Sequence, residues 1–326
     1  MRLSQASLPR LPADVARPAY DRAAANVGVV HLGIGAFHRA HQAVYTDDAL
    51  ARGDLSWGIA GVSLRSPDTH DALAPQDGLY AVAVRDASGE ALRIVGSVLT
   101  TLVAPEDPEA LLTLMASPQV RIVSLTVTEK GYCHDPATGA LRADHPDIVH
   151  DLANPARPKS APGFIVEALA RRRAAGLAPF TVLCCDNLPS NGRTVKKVLV
   201  GYASLREAAL AEHVAREVAC PCTMVDRIVP ATTDADRAHV AARLGVKDAW
   251  PVMTEPFTQW VIEDNFPQGR PDWRGVEFTA DVEPYEHMKL RLLNGSHSTI
   301  AYLGCLAGWE FVSTAMADAD LARHVR

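Results

Sequence analysis

Four polar side chains near residue 290 are of the types that move a proton to or from an alcohol: Glu286, Lys289, Asn294 and His297. At about 100° per residue, one continuous α-helix places all four within an arc of ~140°. Asn294-Gly295 is a candidate interruption of that helix and would change these angles. Burial in apolar surroundings disfavours an ammonium group, so Lys289 is a candidate general base.

Two amide side chains can complete this chemistry by donating hydrogen bonds to the charge that develops on an alkoxide. Asn294 supplies one of them. Asn187 is the natural second, because it follows the apolar run 180–185 and ligands bind at the carboxyl ends of parallel strands. Glu286 would then pass the proton between Lys289 and solvent.

A purely structural interpretation of the same residues stays open. Glu286 and Lys289 form an i,i+3 pair that is common on solvated helices and contributes only ~0.2–0.5 kcal/mol. Asn294-Gly295 is equally typical of a helix C-cap. A single histidine such as His297 in an apolar stretch is more often a hydrogen-bonded core residue than a catalyst.

A second candidate site is the glycine turn Gly33-Ile34-Gly35-Ala36-Phe37, which directly follows the apolar run Val27–Leu32. A glycine turn between the first strand and the first helix is where a dinucleotide pyrophosphate binds. Two of the three expected glycines are present, and His38 stands at the third position. The alternative is a plain strand-to-helix connection.

The chemistry of the cofactor depends on the end of the next predicted strand, residues 57–64. NAD-binding sheets usually carry a carboxylate there for the ribose 2′-hydroxyl. Arg65 stands in its place, and an arginine can accommodate a 2′-phosphate or stack on adenine. The residues therefore predict a nicotinamide cofactor and leave NAD and NADP both open.

The elements that position these residues alternate between strand and helix patterns. Apolar, β-branched runs predict strands at 27–32, 57–64, 120–127, 180–185, 258–263 and 276–280, and a hairpin of 79–84 with 92–98 turning at Gly89. Amphipathic patterns predict helices at 164–175, with a solvated Arg171-Arg172-Arg173 end, and at 192–219. This alternation predicts an α/β fold with a doubly wound, mainly parallel sheet.

The predicted domain organisation has two parts. Residues 1–283 form the dinucleotide-binding domain, with its core at 27–205 and a leader at 1–26 that packs on the surface. From residue 284 the pattern is helical, so 284–326 is the start of an α-helical substrate domain.

Composition excludes several classes of protein. The chain has 326 residues, 48% of them hydrophobic, which is enough for a sizeable core and excludes long disorder. Its net charge of −6 is not that of a nucleic-acid or anionic-membrane binder, and no apolar run reaches the ~18 residues of a membrane span. The six scattered cysteines predict a reduced, cytoplasmic chain, and the spacing of Cys220-Pro-Cys222 and Cys184-Cys185 disfavours a metal site.

Several motifs in a fixed order resemble one family, the polyol-specific long-chain dehydrogenases/reductases, which include mannitol 2-dehydrogenase and fructuronate reductase (mannonate oxidoreductase). The matching stretches run from about residue 28 to the end: VVHLGIGAFHRAHQA, LTVTEKGYC, CDNLPSNG, MVDRIVPATT, EPFTQWVIEDNF and MKLRLLNGSHSTIAYLG. The resemblance implies a Rossmann-type sheet, hydride transfer with NAD or NADP, and no zinc.

The resemblance also implies roles for individual residues. Lys289 matches the general acid/base, Asn187 and Asn294 the alkoxide-stabilising pair, His297 the substrate-orienting histidine and Glu286 the proton relay. The implied cofactor residues are Gly33, Gly35, Ala36 and Phe37 at the turn, Arg65 near the ribose, and Thr128, Glu129, Asp226 and Arg227 beside the nicotinamide.

The sequence therefore predicts an oxidoreductase that oxidises the C2 hydroxyl of an open-chain polyol or sugar acid, with mannitol to fructose favoured and mannonate to fructuronate second. A non-catalytic dinucleotide-binding module and a zinc-dependent dehydrogenase are the rival hypotheses. Family members are longer, so the helical domain is expected to be incomplete and to expose apolar faces at 298–312. The oligomeric state stays open.

Overall fold

The computed structural model describes residues 1–325 in two compact units, Met1–Thr279 and a second that begins at Ala280. The strands are β1 (Val27–Leu32), β2 (Gly58–Ser63), β3 (Tyr80–Asp86), β4 (Gly89–Val95), β5 (Val98–Val103), β6 (Ile122–Leu125), β7 (Thr181–Cys184), β8 (Thr223–Asp226), β9 (Val252–Thr254), β10 (Gln259–Glu263) and β11 (Glu277–Thr279). Eight of them agree with the predicted apolar runs to within a few residues, whereas β5, β8 and β9 have no counterpart among the predicted strands.

Helices fill the intervals between the strands. They are α1 (Ala36–Ala40), α2 (Gln42–Ala51), α3 (Asp68–Leu73), α4 (Pro108–Ala116), α5 (Thr128–Gly131), α6 (Pro146–Ala153), α7 (Ala161–Ala174), α8 (Asn191–Arg206), α9 (Ala208–Glu217), α10 (Asp234–Leu244), α11 (Glu283–Met288), α12 (Gly295–Leu306), α13 (Val312–Ala317) and α14 (Ala319–Val325). The 3₁₀ turns are Gln5–Arg10, Leu55–Trp57 and Ala74–Gln76, and Lys289–Asn294 is a π-helical segment.

The central sheet confirms the predicted doubly wound, parallel architecture. Its strand order is β5-β2-β1-β6-β7, and every neighbouring pair runs parallel. β2 and β7 are buried along their whole length, which explains their continuous apolar sequences. The strand order reverses between β1 and β6, so their carboxyl ends form the crevice where such sheets bind ligands.

Two smaller sheets complete the first unit. β3 and β4 form the predicted hairpin, with Asp86 opposite Gly89, and β9 adds a parallel strand to β3. β10 pairs antiparallel with β8 and parallel with β11.

The hydrophobic core of the first unit has two main clusters. One packs Val30, Leu125 and Val182 of the central sheet against Phe164 of α7 and Leu199 of α8. The other includes Trp57, Tyr80 and Trp260.

The N-terminal leader does not simply pack on the surface as predicted. Leu3, Leu11 and Val15 are buried in a third cluster with Ala81 and Ile94 of the hairpin. The leader therefore completes the core of the first unit.

Two local predictions are wrong. The long helix expected at 192–219 is two helices, because Glu207 is extended (φ −160°, ψ 128°) between α8 and α9. Arg172 is not solvated, since its side chain is buried and its guanidinium donates to the carbonyls of Ser117 (2.6 Å) and Val120 (3.0 Å).

The second unit is helical, as predicted. Ile300, Ala315 and Leu321 form its small core. Apolar side chains at the predicted 298–312 faces are exposed, including Tyr302 and Leu306. Across the described residues, no helix combines the length and apolarity that crossing a membrane requires.

Candidate active site

Gly33 makes the sharp turn after β1. Its φ of +92° lies in the region that favours glycine, and a Cβ there would lie 2.3 Å from the Thr126 carbonyl oxygen. The N–H groups of Gly33 and Ile34 both donate to the Val62 carbonyl, which ties the turn to β2. The fold therefore requires glycine at position 33 whether or not a ligand binds.

Gly35 has a different reason to be glycine. Its backbone has an ordinary φ of −82°, and a Cβ at this position would have the Gly33 carbonyl oxygen, 3.8 Å away, as its nearest neighbour. The space beside Gly35 is open, so a ligand can approach the backbone closely there. This is the property that a dinucleotide pyrophosphate needs from such a turn.

A cleft of about 290 Å³ opens at this turn, and we call it the switch-point cleft. Residues from the ends of β1, β2 and β6 line it together with the segment before α7, among them Gly33, Gly35, Arg65, Thr126, Thr128 and Lys159. The predicted cofactor residues Gly33, Gly35, Arg65 and Thr128 therefore share one cavity.

Beneath the turn lies a buried polar cluster that sequence reasoning missed. His31 Nε2 lies 2.8 Å from Thr126 Oγ1 and 3.2 Å from the Gly33 carbonyl, while Nδ1 lies 2.8 Å from Ser124 Oγ. The His38 ring stacks on His31 with centroids 3.4 Å apart. We call the pair of His31 and His38 the histidine floor. Its only sequence signal was a polar residue inside an apolar strand.

Burial keeps both imidazoles of the histidine floor neutral. It lowers the pKa of His31 to about 3 and holds the pKa of His38 well below its ordinary value. Among the described residues, no hydrogen bond of ordinary geometry reaches either ring nitrogen of His38, and the neighbouring Gln42 side chain only partly opposes the fall in its pKa. The floor is therefore an uncharged layer beneath the glycine turn.

The helix after the turn is shorter than the sequence pattern indicates. α1 ends at Ala40, and His41 (φ −118°, ψ −95°) separates it from α2. Ala36 and Phe37 lie half-buried in α1, with the Phe37 ring stacked on His41 at 4.9 Å. His38 and Arg39 face the protein interior.

A second pocket, of about 510 Å³, contains Asn187. Its lining residues are Thr128, Glu129, Lys130, Asp186 and Asn187. The structure thus brings the predicted amide Asn187 together with Thr128 and Glu129, two of the predicted nicotinamide-side residues.

Asp186 fixes the wall of this pocket. Its carboxylate accepts hydrogen bonds from the Val127 N–H (2.9 Å), the Thr128 N–H (3.2 Å) and the Tyr132 hydroxyl (2.6 Å). Burial raises the pKa of Asp186, while these donors lower it. Thr128 has φ +63°, a strained conformation for a β-branched residue of the kind that clusters at functional sites. Asp186 was not singled out from the sequence.

Asp226 and Arg227 lie elsewhere, at the end of β8. Arg227 donates from Nη2 to the Glu255 carbonyl (3.0 Å) and from Nη1 to the Ala40 carbonyl. Neither residue is among those that line the switch-point cleft or the Asn187 pocket. Arg227 ties β8 to the helix that follows the glycine turn.

In the second unit, Glu286, Lys289, Asn294 and His297 lie on one helical run. The predicted interruption at Asn294-Gly295 is wrong, because Gly295 keeps helical angles (φ −61°, ψ −45°). Instead, Lys289–Asn294 is π-helical, and the Gly295 N–H donates to the carbonyl of Leu290, five residues earlier.

The π segment changes the predicted arrangement of the polar side chains. In an α-helix, Lys289 and Asn294 would be ~140° apart around the axis. Bonding from i to i+5 places residues five apart almost one above the other, so the two move towards one face. Single π turns of this kind are frequent at functional sites. Lys289 and Asn294 are half-buried, and His297 is exposed.

Among the described residues, one group has the composition of a metal site: Cys133, His145 and Asp147, whose ligand atoms lie within 4.8 Å of one another. His145 Nδ1 already accepts the Asp147 N–H at the start of α6. Neither Cys184-Cys185 nor Cys220-Pro-Cys222 contributes a ligand atom to this group.

Comparison with known families identifies both parts of the chain. The family model of the mannitol dehydrogenase Rossmann domain matches residues 27–275, and that of the mannitol dehydrogenase C-terminal domain matches 281–326. D-mannonate oxidoreductase of Escherichia coli is 50% identical over 310 residues, which cover 93% of this chain and 64% of that protein. Mannitol 2-dehydrogenase of Cereibacter sphaeroides is 50% identical over 313 residues, covering 94% and 65%.

A solved structure is also similar. The ternary complex of Pseudomonas fluorescens mannitol 2-dehydrogenase with NAD and D-mannitol matches with a TM-score of 0.94 and 47% identity, over 100% of this chain and 68% of that one. The chain thus spans about two thirds of the length of the relatives it matches. These matches show that the chain belongs to the mannitol dehydrogenase family.

Proposed function

We propose that the protein is an NAD-dependent oxidoreductase that oxidises the C2 hydroxyl of an open-chain polyol or sugar acid. Mannitol to fructose is the first candidate reaction, and mannonate to fructuronate is the second. Relatives named for mannitol and for mannonate are equally similar, at 50% identity each, which supports the reaction class and favours neither substrate.

The observation that carries the proposal is the open backbone at Gly35, in a cleft at the switch point of the parallel sheet. Gly33, Gly35, Ala36 and Phe37 would hold the pyrophosphate side of the cofactor, and Thr128 and Glu129 the nicotinamide side. Asp226 and Arg227, at the end of β8, are also proposed for the nicotinamide side, and Arg227 holds the Ala40 carbonyl at the end of α1. When bound, NAD⁺ supplies a hydride acceptor at nicotinamide C4.

The chain's own residues would handle the proton and the charge. Lys289 Nζ takes the proton from the substrate hydroxyl, and the amides of Asn187 and Asn294 donate hydrogen bonds to the resulting oxyanion. That oxygen becomes the product carbonyl when the C2–H bond breaks with its electron pair. His297 orients the substrate, and Glu286 carries the proton from Lys289 towards solvent.

A binding titration combined with a substrate panel tests this function. NADH fluorescence should show saturable binding, and NAD⁺ reduction should appear with mannitol or mannonate before other polyols. In the reverse direction, fructose, fructuronate and tagaturonate separate the candidate products. Binding without turnover on any of them would favour the non-catalytic dinucleotide-binding module.

Metal analysis tests the mechanism separately. A lysine base needs no metal ion, so activity should survive prolonged treatment with a chelator. Stoichiometric zinc lost together with activity would favour a zinc-dependent dehydrogenase, and Cys133, His145 and Asp147 would be the residues to examine.

A further inference from the structure

Positive charge is concentrated where β2 ends. In a doubly wound sheet, the adenosine ribose binds beside the end of the second strand, and a carboxylate there selects the 2′-hydroxyl of NAD. β2 ends at Ser63, and Leu64, Arg65 and Ser66 follow it. Asp68, the first carboxylate after β2, is not among the residues that line either adjoining cavity. The usual selector for NAD is therefore missing from this position.

Two cavities meet at Arg65. The switch-point cleft and a neighbouring cavity of about 530 Å³ share Leu64, Arg65, Asp147 and Lys159 in their walls. Arg157 also lines the neighbouring cavity. Arg65, Arg157 and Lys159 thus face one carboxylate, that of Asp147, and the cavity carries an excess of positive charge.

These cations lack the partners that most arginines of this chain have. Arg171 pairs with Glu109 and Glu167, for example, at 2.6 and 2.9 Å. Within residues 1–325, no described ion pair engages Arg65, Arg157 or Lys159. Cations that outnumber the carboxylates around them repel one another, and a doubly charged anion between them would relieve that repulsion.

The backbone that carries Lys159 is fixed in place. The buried carboxylate of Asp151 accepts the Lys159 N–H (2.8 Å), the Ser160 N–H (2.9 Å) and the Ser160 hydroxyl (2.6 Å). Only the Lys159 side chain remains to be ordered by a ligand, which lowers the entropic cost of binding. Arg65 lies two residues after the end of β2, which is buried along its whole length.

We propose that this cavity binds the 2′-phosphate of NADP(H), with the Arg65 guanidinium and the Lys159 ammonium as its ligands. The proposal rests on the proposed dinucleotide function and extends it to the phosphorylated cofactor. Arginine offers a planar pair of donors to a phosphate, and lysine adds a point charge. Asp147 opposes the phosphate and is outnumbered by the cations around it.

Calorimetric titration with NADPH and NADH tests the proposal without any turnover. The protein should bind NADPH at least as tightly as NADH. Arg65→Ala and Lys159→Ala should each raise the Kd for NADPH about tenfold or more, and far more than the Kd for NADH. Arg216→Ala, which removes an exposed cation on α9, is the matched control and should alter the two dissociation constants equally or not at all.

The fragments 2′,5′-ADP and 5′-AMP provide an independent comparison, because they differ only in the phosphate at issue. Rising salt concentration should weaken the binding of 2′,5′-ADP more than the binding of 5′-AMP. Two results would overturn this proposal alone. The first is that the protein binds NADH but binds NADPH more than tenfold more weakly. The second is that Arg65→Ala and Lys159→Ala lose as much affinity for NADH as for NADPH. Failure of both cofactors to bind would overturn the proposed function with it.

Discussion

The two regions that carry the candidate chemistry are built in opposite ways. Beneath the glycine turn, the His31 ring is buried, hydrogen-bonded and neutral: it contacts Ser124, Thr126 and the Gly33 carbonyl, and burial lowers its pKa to about 3. On the helical run of the second unit, Lys289 and Asn294 are half-buried and His297 is exposed. Their alignment comes from a π turn of the backbone.

We infer from this difference that the glycine turn serves cofactor binding and that the helical run of the second unit serves proton transfer. The turn is held by tertiary packing, so its shape exists before any ligand arrives, as a cofactor site requires. The candidate side chains of the second unit are brought towards one face by local helix geometry, and they are partly open to solvent. Substitutions in the turn should therefore affect stability and cofactor affinity, whereas substitutions in the helical run should affect turnover.

The largest expected effect follows from removing the proposed base. Lys289→Ala should lower turnover by about 10²–10⁴-fold, because general-base catalysis contributes roughly that much. Stopped-flow measurement of NAD⁺ reduction gives the rate, and NADH titration gives the Kd, which should stay within about twofold of wild type. A large change in the NADH Kd would mean that Lys289 supports the cofactor site instead.

Next in size is the effect of a methyl group in the turn. Gly33→Ala places a Cβ against the Thr126 carbonyl at a positive φ and should cost about 1–3 kcal/mol of stability. Gly35→Ala is the matched control, because its Cβ meets only open space. Urea unfolding should show wild-type stability for Gly35→Ala, while NADH titration shows weakened binding in both variants. Equal destabilisation of the two would contradict the distinction drawn between the glycines.

Acid should loosen the histidine floor. Because burial lowers the pKa of His31 to about 3, the folded protein binds fewer protons than the unfolded chain between about pH 6.5 and 3. The stabilisation by the neutral ring is complete above pH 6.5 and is lost as the pH falls. The free energy of unfolding should drop by up to about 1.4 kcal/mol per pH unit for His31. The lowered pKa of His38 acts in the same direction.

His38→Phe tests that assignment, since no described hydrogen bond of ordinary geometry reaches the His38 ring nitrogens. In this variant, the free energy of unfolding should depend less steeply on pH, because the unfolded chain has one fewer histidine to protonate. The variant should be at least as stable as wild type at pH 7. Urea midpoints from pH 7 to pH 4 measure both quantities. An unchanged slope would show that His38 does not titrate on unfolding.

The smallest expected effect concerns the strained residue of the Asn187 pocket. Thr128→Gly relieves a left-handed conformation but adds backbone freedom to the unfolded chain, so stability should rise by about 1 kcal/mol or less. Thr138→Gly, at an exposed turn residue, should lower stability instead. Thermal unfolding of the two variants side by side gives the sign, and a loss in both would mean that Thr128 is not strained.

Much of the first unit could be predicted because its signals are local. A buried parallel strand needs a continuous apolar run, and a turn at positive φ needs glycine, so β1 and Gly33 are visible in one sequence. The domain boundary predicted at residues 283/284 stays a prediction, as do the roles of the site residues. The compact units divide at Thr279.

What the sequence could not show depends on long-range contacts or on competition between hydrogen bonds. Asp186 has the sequence context of an ordinary loop acid, and its contacts with Val127 and Tyr132 join segments more than fifty residues apart. Arg172 belongs to a charged run typical of solvent, yet the carbonyls that bind it come from the segment before β6. The π turn at Lys289–Asn294 differs from an α-turn by one hydrogen-bond register, which hydrophobic periodicity does not resolve.

Chemical rescue of Lys289→Ala tests most directly whether this side chain is the proton acceptor. Small primary amines added to the variant with saturating NAD⁺ and mannitol should restore turnover in proportion to their concentration, and more basic amines should restore more. The same amines should leave the wild-type rate unchanged. Turnover of Lys289→Ala near the wild-type rate without any added amine would contradict the role of Lys289 as the base.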